Sequence, residues 1–181
     1  MIVVAIDPGV SGAIAFLGDC EPSVHDLPTL ALPIAASAGR AWVPRRIDGR
    51  ATALLIRQHV PVGSPAQAFC ERVHAMRGGG DGKSSMQAEG SLMRSLGALE
   101  AVLDVLNLSP ELVLPQAWQQ FYGLVGKNVE MRGRGELPAA VRKAMQLYGN
   151  LAHELGKVKS HNKAEALLIG HYALRKLVST G

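Results

Sequence analysis

Cysteine is scarce: Cys20 and Cys70 are the only two in 181 residues, with no CxxC spacing. That excludes a disulfide framework and a thiolate zinc site, and leaves both as small core residues. No run approaches the ~18 to 20 uninterrupted apolar residues of a membrane span. The N-terminus opens on a strand-like segment instead of a basic stretch followed by a hydrophobic signal region, so a cytosolic location is expected. There is no internal repeat and no low-complexity tract. What remains is 48% apolar with a mean hydropathy of +0.12, which suits a globular chain. Its length suits one domain over residues 1–181 and is too short for two comfortable ones.

Acids are scarce where bases are dense. From Gln116 onward, ten Lys and Arg face four acids (Glu130, Glu136, Glu154 and Glu165), and the whole chain carries +4 with a pI near 9.3. Five cations fall between Lys127 and Lys143 and three more between Lys157 and Lys163. A solvated surface could carry this imbalance, but the clustering suits a face that tracks phosphates.

The stretch that organises the chain is Ile2-Val3-Val4-Ala5-Ile6-Asp7-Pro8-Gly9. Its Val and Ile predict a strand buried on both faces, ending in a carboxylate. Gly9 and Gly12 permit a tight turn, and Ser11 to Leu17 returns as a second strand. Asp7 then either caps the turn through backbone amides or faces a ligand. Pro22 to Leu27 supplies a third strand, completing an antiparallel meander. Pro28 to Ile47, with three prolines and a run of small residues, is expected to be an irregular loop. Asp48 caps a helix ending near His59 or Val60. Ala66 to Val73 is the next strand, with Glu71 as the acid at its end.

The glycine-rich segment from His74 to Lys83 reads as a loop, and a helix runs from Ser84 to Leu106. Leu92, Leu96, Leu99, Leu103 and Leu106 form an apolar stripe on that helix, making it either central to the fold or an oligomer contact. Leu112 to Leu114 is a short strand, and Gln116 to Tyr122 a short helix with Trp118 packed inward. Gly123 to Gly135 reads as irregular, Leu137 to Leu147 as a helix, Asn150 to Ser160 as a connector and His161 to Val178 as the last helix. Three strands followed by helices alternating with two more strands give an α/β domain with a mixed sheet.

His161 and Glu165 stand four apart on one face of that last helix, either as a partly buried polar pair or as an ordinary surface pair. Asp7, Glu71 and Glu165 sit at two strand ends and a helix start. If the strands are neighbours, three carboxylates converge, raise one another's pKa and invite a divalent cation. Oxygen ligands suit Mg²⁺ or Mn²⁺, and two ions about 3.5 to 4 Å apart can stabilise both oxygens of a phosphoryl displacement. His161 would be a further ligand or would position the water. The implied chemistry is phosphodiester hydrolysis.

The motif Ile6-Asp7-Pro8-Gly9-x-Ser11-Gly12-Ala13, the strand ending in Glu71, and His161-Asn162-Lys163-Ala164-Glu165-Ala166-Leu167-Leu168-Ile169 together resemble the RNase H-like Holliday-junction resolvases of the RuvC type. The likeness is to the branch that includes the plant chloroplast resolvases, and it runs through most of the chain in order. It implies an RNase H-like, five-stranded mixed sheet flanked by helices, a homodimer, and metal-dependent paired nicking of a four-way DNA junction. Carried over by position, Asp7 is the central metal-bridging acid, Glu71 the second and Glu165 the third. Some relatives carry an acid where this chain has Ser160 or Asn162, which leaves His161 as the fourth member. Met76, Arg77 and Lys83 fall where the family meets the junction centre. Lys127, Arg132, Arg134, Lys157, Lys159 and Lys163 are the backbone-contact candidates.

Two rivals are considered. Gly78 to Ser84 is similar to the phosphate-binding loop G-x-x-x-x-G-K-[ST], but the spacing fails by one, so no nucleotide cofactor is expected. A non-catalytic junction- or DNA-binding module would share the basic face without needing the three carboxylates.

Overall fold

A computed structural model describes residues 1–32, 45–73, 86–125, 137–156 and 160–180. The opening run forms β1 (Ile2–Asp7), which pairs antiparallel with β2 (Ala13–Gly18), and β2 pairs antiparallel with β3 (Ser23–Asp26). This is the expected meander. Two short strands, β4 (Thr29–Ala31) and β5 (Arg45–Ile47), then pair with each other in a separate two-stranded sheet. The expectation of an irregular loop from Pro28 to Ile47 is corrected at both of its ends. Strands of three residues have no periodicity to read, and their pairing depends on segments far apart in the chain.

Asp48 caps α1 (Gly49–His59) by accepting the Ala51 amide at 3.0 Å, and the Thr52 hydroxyl bonds the Asp48 carbonyl at 2.8 Å. The chain then enters β6 (Ala66–Glu71), α2 (Met86–Val105), β7 (Glu111–Val113), α3 (Pro115–Phe121) and α4 (Ala139–Leu147). Among its described residues, the segment expected as a connector holds a 3-10 turn (Gly149–Leu151) and a one-turn helix, α5 (Ala152–Leu155), before α6 (His161–Thr180). Leu151 and Leu155 pack into the core, and their burial holds these short turns in place.

The five-stranded sheet has the order β3-β2-β1-β6-β7, with β6 parallel to both β1 and β7. Side chains alternate across it. Val3, Ala5 and Phe69 point to the face covered by α3, α4 and α6, while Val4, Ile6, Ala68 and Cys70 point to the face covered by α1 and α2. Cys70 is buried as expected, but Cys20 is only half-buried. Leu99, Leu103 and Leu106 of the apolar stripe enter the second core.

Candidate active site

The parallel register of β1 and β6 sets Ile6 beside Cys70, so Asp7 and Glu71 follow as neighbours at the carboxyl ends of the two strands. Strand alternation puts both on the α6 face, continuing the rows Val3-Ala5-Asp7 and Phe69-Glu71. The α6 helix lies along that face, with Leu167, Leu168 and Ile169 completely buried, and its first turns bring His161 and Glu165 to the same end of the sheet. Three acids distant in sequence thus stand at the same end of the sheet, where parallel strands offer an open crevice.

Asp7 is only 8% exposed. Burial, then the charge of Glu165, then that of Glu71, holds its carboxyl well above the usual carboxylate range. Glu71 is also raised by burial, an effect opposed by a hydrogen bond from Trp118 Nε1 to Oε1 at 2.9 Å. Among the described residues, no three His, Cys, Asp or Glu side chains lie close enough together to enclose an ion as placed. Asp7 and Glu71 each lie within electrostatic reach of Glu165, and Asp7 of Glu71.

The β1–β2 turn holds Asp7 from below. Gly12 donates its amide to the Gly9 carbonyl at 3.0 Å, and a β-carbon on Gly12 would fall 2.1 Å from the Asp7 carbonyl oxygen. Gly9 adopts φ +144°, a conformation L side chains rarely take. Asn162 on α6 donates its side-chain amide to the Ser11 carbonyl, tying this turn to the helix. That contact separates the roles of two adjacent residues. Asn162 braces the turn, whereas His161 Nε2 lies 3.0 Å from Glu165 Oε1, one helical turn away.

Of the residues selected from sequence, Asp7, Glu71, His161 and Glu165 are brought to one place. Lys163 is instead held by two acids, Glu154 Oε2 at 2.8 Å and Asp26 Oδ2 at 3.4 Å, and its side chain is 15% exposed. It anchors α6 to α5 and to the edge strand β3. Met76, Arg77, Lys83, Lys127, Arg132, Arg134, Lys157 and Lys159 lie outside the described residues. The contact that sequence reasoning missed is Trp118 with Glu71. An inward tryptophan needs a partner for its N–H, and that was the available signal.

The donor set fits a hard divalent cation: carboxylate oxygens from Asp7, Glu71 and Glu165, an imidazole beside them, and a buried acid whose nearest charges are also negative. Cys70 points to the opposite face of β6, away from these acids, and burial and then Asp7 push its thiol up to about 12. No described helix is long and apolar enough to cross a membrane.

No family model matches the sequence, and no curated protein matches it. Solved structures do. The chain is similar to Thermus thermophilus RuvC in complex with a Holliday-junction substrate, with a TM-score of 0.55 and 17% identity over 100% of this chain and 98% of that one. A second structure of Thermus thermophilus RuvC aligns over 99% and 98% of the two chains, with 15% identity and a TM-score of 0.45. The fold is therefore the RuvC, RNase H-like α/β fold: a mixed five-stranded sheet flanked by helices.

Proposed function

We propose that this protein is a Mg²⁺-dependent, structure-selective endodeoxyribonuclease that acts as a homodimer and resolves four-way DNA junctions by paired symmetric nicks. The observation that carries the reading is the buried Asp7 at the end of β1, flanked by Glu71 and Glu165 on the face covered by α6. A buried acid with two acids as its neighbours is costly in a structural role, whereas a site for divalent cations requires that arrangement. The similarity to a junction-bound RuvC supports the substrate class.

Asp7, Glu71 and Glu165 would hold Mg²⁺, or Mn²⁺ in its place, with two ions expected per site and His161 as a fourth ligand or a proton carrier. Bound there, the cations would supply Lewis-acid polarisation of the phosphate and a more acidic water. The chain's own groups set the stage for in-line attack of water on the phosphodiester, which leaves a 5′-phosphate and a 3′-hydroxyl. Because a carboxylate only accepts, Glu165 orients the His161 imidazole through its Nε2–H. Asn162 and Gly12 keep the Asp7 turn from moving under the substrate.

Paired nicks need two sites. The dimer contact is assigned to the outward face of α2, where Met93 (40% exposed) and Val105 (80% exposed) lie along the same helix as the exposed Gly90 and Gly97. The leucine stripe belongs largely to the protein's own core. The basic residues from Lys127 to Arg134 and at Lys157 and Lys159 are proposed to track the backbone, so binding should weaken steeply with salt.

The deciding experiment compares a labelled synthetic four-way junction with linear duplex, in Mg²⁺ or EDTA, for wild type and Asp7→Asn. Paired nicks that require metal and fall to background in the variant, while junction binding survives, are expected. The same variant should melt a few °C higher than wild type in EDTA, because it removes a buried charge facing two others, a change of about 1 kcal/mol or more. Metal-independent junction binding without cleavage by wild type would identify a non-catalytic binding module instead. Neither binding nor cleavage would overturn both.

A further inference from the structure

We infer that Trp118 is a positioning residue for the Glu71 carboxylate, aiming one of its oxygens at the cation site. The inference rests on the metal-site reading above and extends it to a residue of α3. Trp118 is 1% exposed, and its indole Nε1 donates to Glu71 Oε1 at 2.9 Å.

The local chain explains how the indole gets there. Glu71 pairs with Val113 in the parallel β6–β7 ladder, and the Arg72 amide bonds the Val113 carbonyl at 2.8 Å, so the end of β7 is fixed beside the acid. Pro115 then opens α3 within two residues of β7, with no room for slack, and Trp118 falls in the first turn of that helix, turned toward the sheet. The helix is packed against α6, which carries His161 and Glu165. One short strand–helix unit therefore spans the second and third acids.

The chemistry of the donor matters. An indole N–H donates and never accepts, so it cannot compete with Glu71 for a cation. It is neutral and does not titrate, so it leaves the negative charge of the site intact where a Lys or Arg donor would cancel it. A carboxylate anchored through Oε1 has lost most of its freedom to rotate and presents Oε2 in a set direction. Partners of this kind around a metal ligand typically change metal affinity by about 10 to 100-fold when removed. Burial also makes the contact mutual, because an indole N–H at this depth needs an acceptor.

A purely space-filling Trp118 is the rival, and Trp118→Phe separates the two by keeping most of the ring bulk and deleting the N–H. Two readouts apply, neither of them cleavage. The first is Mn²⁺ affinity by calorimetry, for wild type, Trp118→Phe, Glu71→Gln and Asp7→Asn. The second is the indole ¹H–¹⁵N resonance of Trp118, told apart from that of Trp42 by its absence in the variant, followed during Mg²⁺ titration and in Glu71→Gln.

The expected result is Mn²⁺ affinity lowered about 10-fold in Trp118→Phe, with a Trp118 resonance that moves on adding Mg²⁺ and in Glu71→Gln. Unchanged Mn²⁺ affinity in Trp118→Phe, alongside loss in Asp7→Asn and Glu71→Gln, would overturn the positioning role and leave the metal site standing. Absence of Mn²⁺ binding in wild type would remove the metal-site reading itself, and the positioning role with it. If Trp118→Phe does not fold, the wild-type resonance decides: movement with Mg²⁺ supports the inference, and a fixed resonance overturns it.

Discussion

On one face of the sheet, α6 lies so close that a β-carbon on Gly170 would meet Leu17 Cδ1 at 2.7 Å and Ala5 Cβ at 3.0 Å; on the other, α2 has Gly90 and Gly97 facing open space. Both helices are 20 residues long, and they pack on opposite faces of the sheet. The difference lies in what each delivers. Gly170 is five residues after Glu165, about 7 Å along the axis, so the depth at which α6 seats on β1 and β2 sets how far Glu165 stands from Asp7. The helix on the other face delivers no acid to the site. It closes its core with Leu99 and Leu103, and its residues from Glu89 to Arg94 are half-buried or exposed.

The contrast is broken most strongly by Gly170→Val. Leu17 Cδ1 can turn only into a core where Leu17 is 1% exposed, and the Ala5 β-carbon is fixed to β1, so the added bulk of valine pushes α6 outward. A loss of roughly 3 kcal/mol, about 6 to 12 °C in melting temperature, is expected. Divalent-metal affinity should fall in whatever fraction still folds. Thermal unfolding and Mn²⁺ calorimetry check both.

A substitution of similar kind on the other face should act in the opposite direction. Gly97→Ala has no neighbour within 4 Å and should stabilise the monomer by about 0.5 to 1 kcal/mol through helix propensity alone. Urea denaturation at two protein concentrations tests this. A loss of stability that grows with concentration would reveal a second copy seated on that face.

The smallest effect sharpens the comparison through pH. On the α2 side of the sheet, His25 of β3 and His59 at the end of α1 stand 4.9 Å apart, and His59 stacks on Phe16 at 4.2 Å. Burial lowers both pKa values below the ordinary 6.5; for His25 the charges of His59 and Lys163 lower it further, against smaller opposing effects of Glu154 and Asp26. The unfolded chain therefore binds protons first, and this contribution to stability is lost as pH falls from about 6.5 through the lower folded values. Asp7 and Glu71, raised in the folded state, act in the opposite sense in acid. The expected outcome is thus differential: between pH 8 and pH 5.5, His25→Gln should lose less stability than wild type, by a few tenths of a kcal/mol, because half-buried rings remain partly hydrated. Equal losses would mean that the pair titrates as it does in the unfolded chain.

Much of the tight face was legible in advance. The run from Ile2 to Asp7, the strand ending in Glu71 and the i,i+4 pair His161 and Glu165 each carry a local pattern, and the two strands are parallel neighbours in the β1–β6 register. Contacts made by long-range geometry were not legible. Lys163 looked like a backbone-binding cation because nothing local reveals that Glu154 and Asp26 flank it. Trp118 read as core, correctly, but its acceptor lies 47 residues earlier in the chain. The β4–β5 ladder is invisible for the same reason: three-residue strands depend on a partner, not on a pattern of their own.

The three acids come from positions 7, 71 and 165, on two strands and a late helix. During synthesis the ribosome delivers the first two long before the third, and Asp7 and Glu71 then have only each other. The complete trio comes into being when α6 docks, with Gly170 pressed against Leu17 and Lys163 clasped by Asp26. A chain lacking that helix therefore lacks Glu165, His161 and the contacts of Gly170 and Lys163 together.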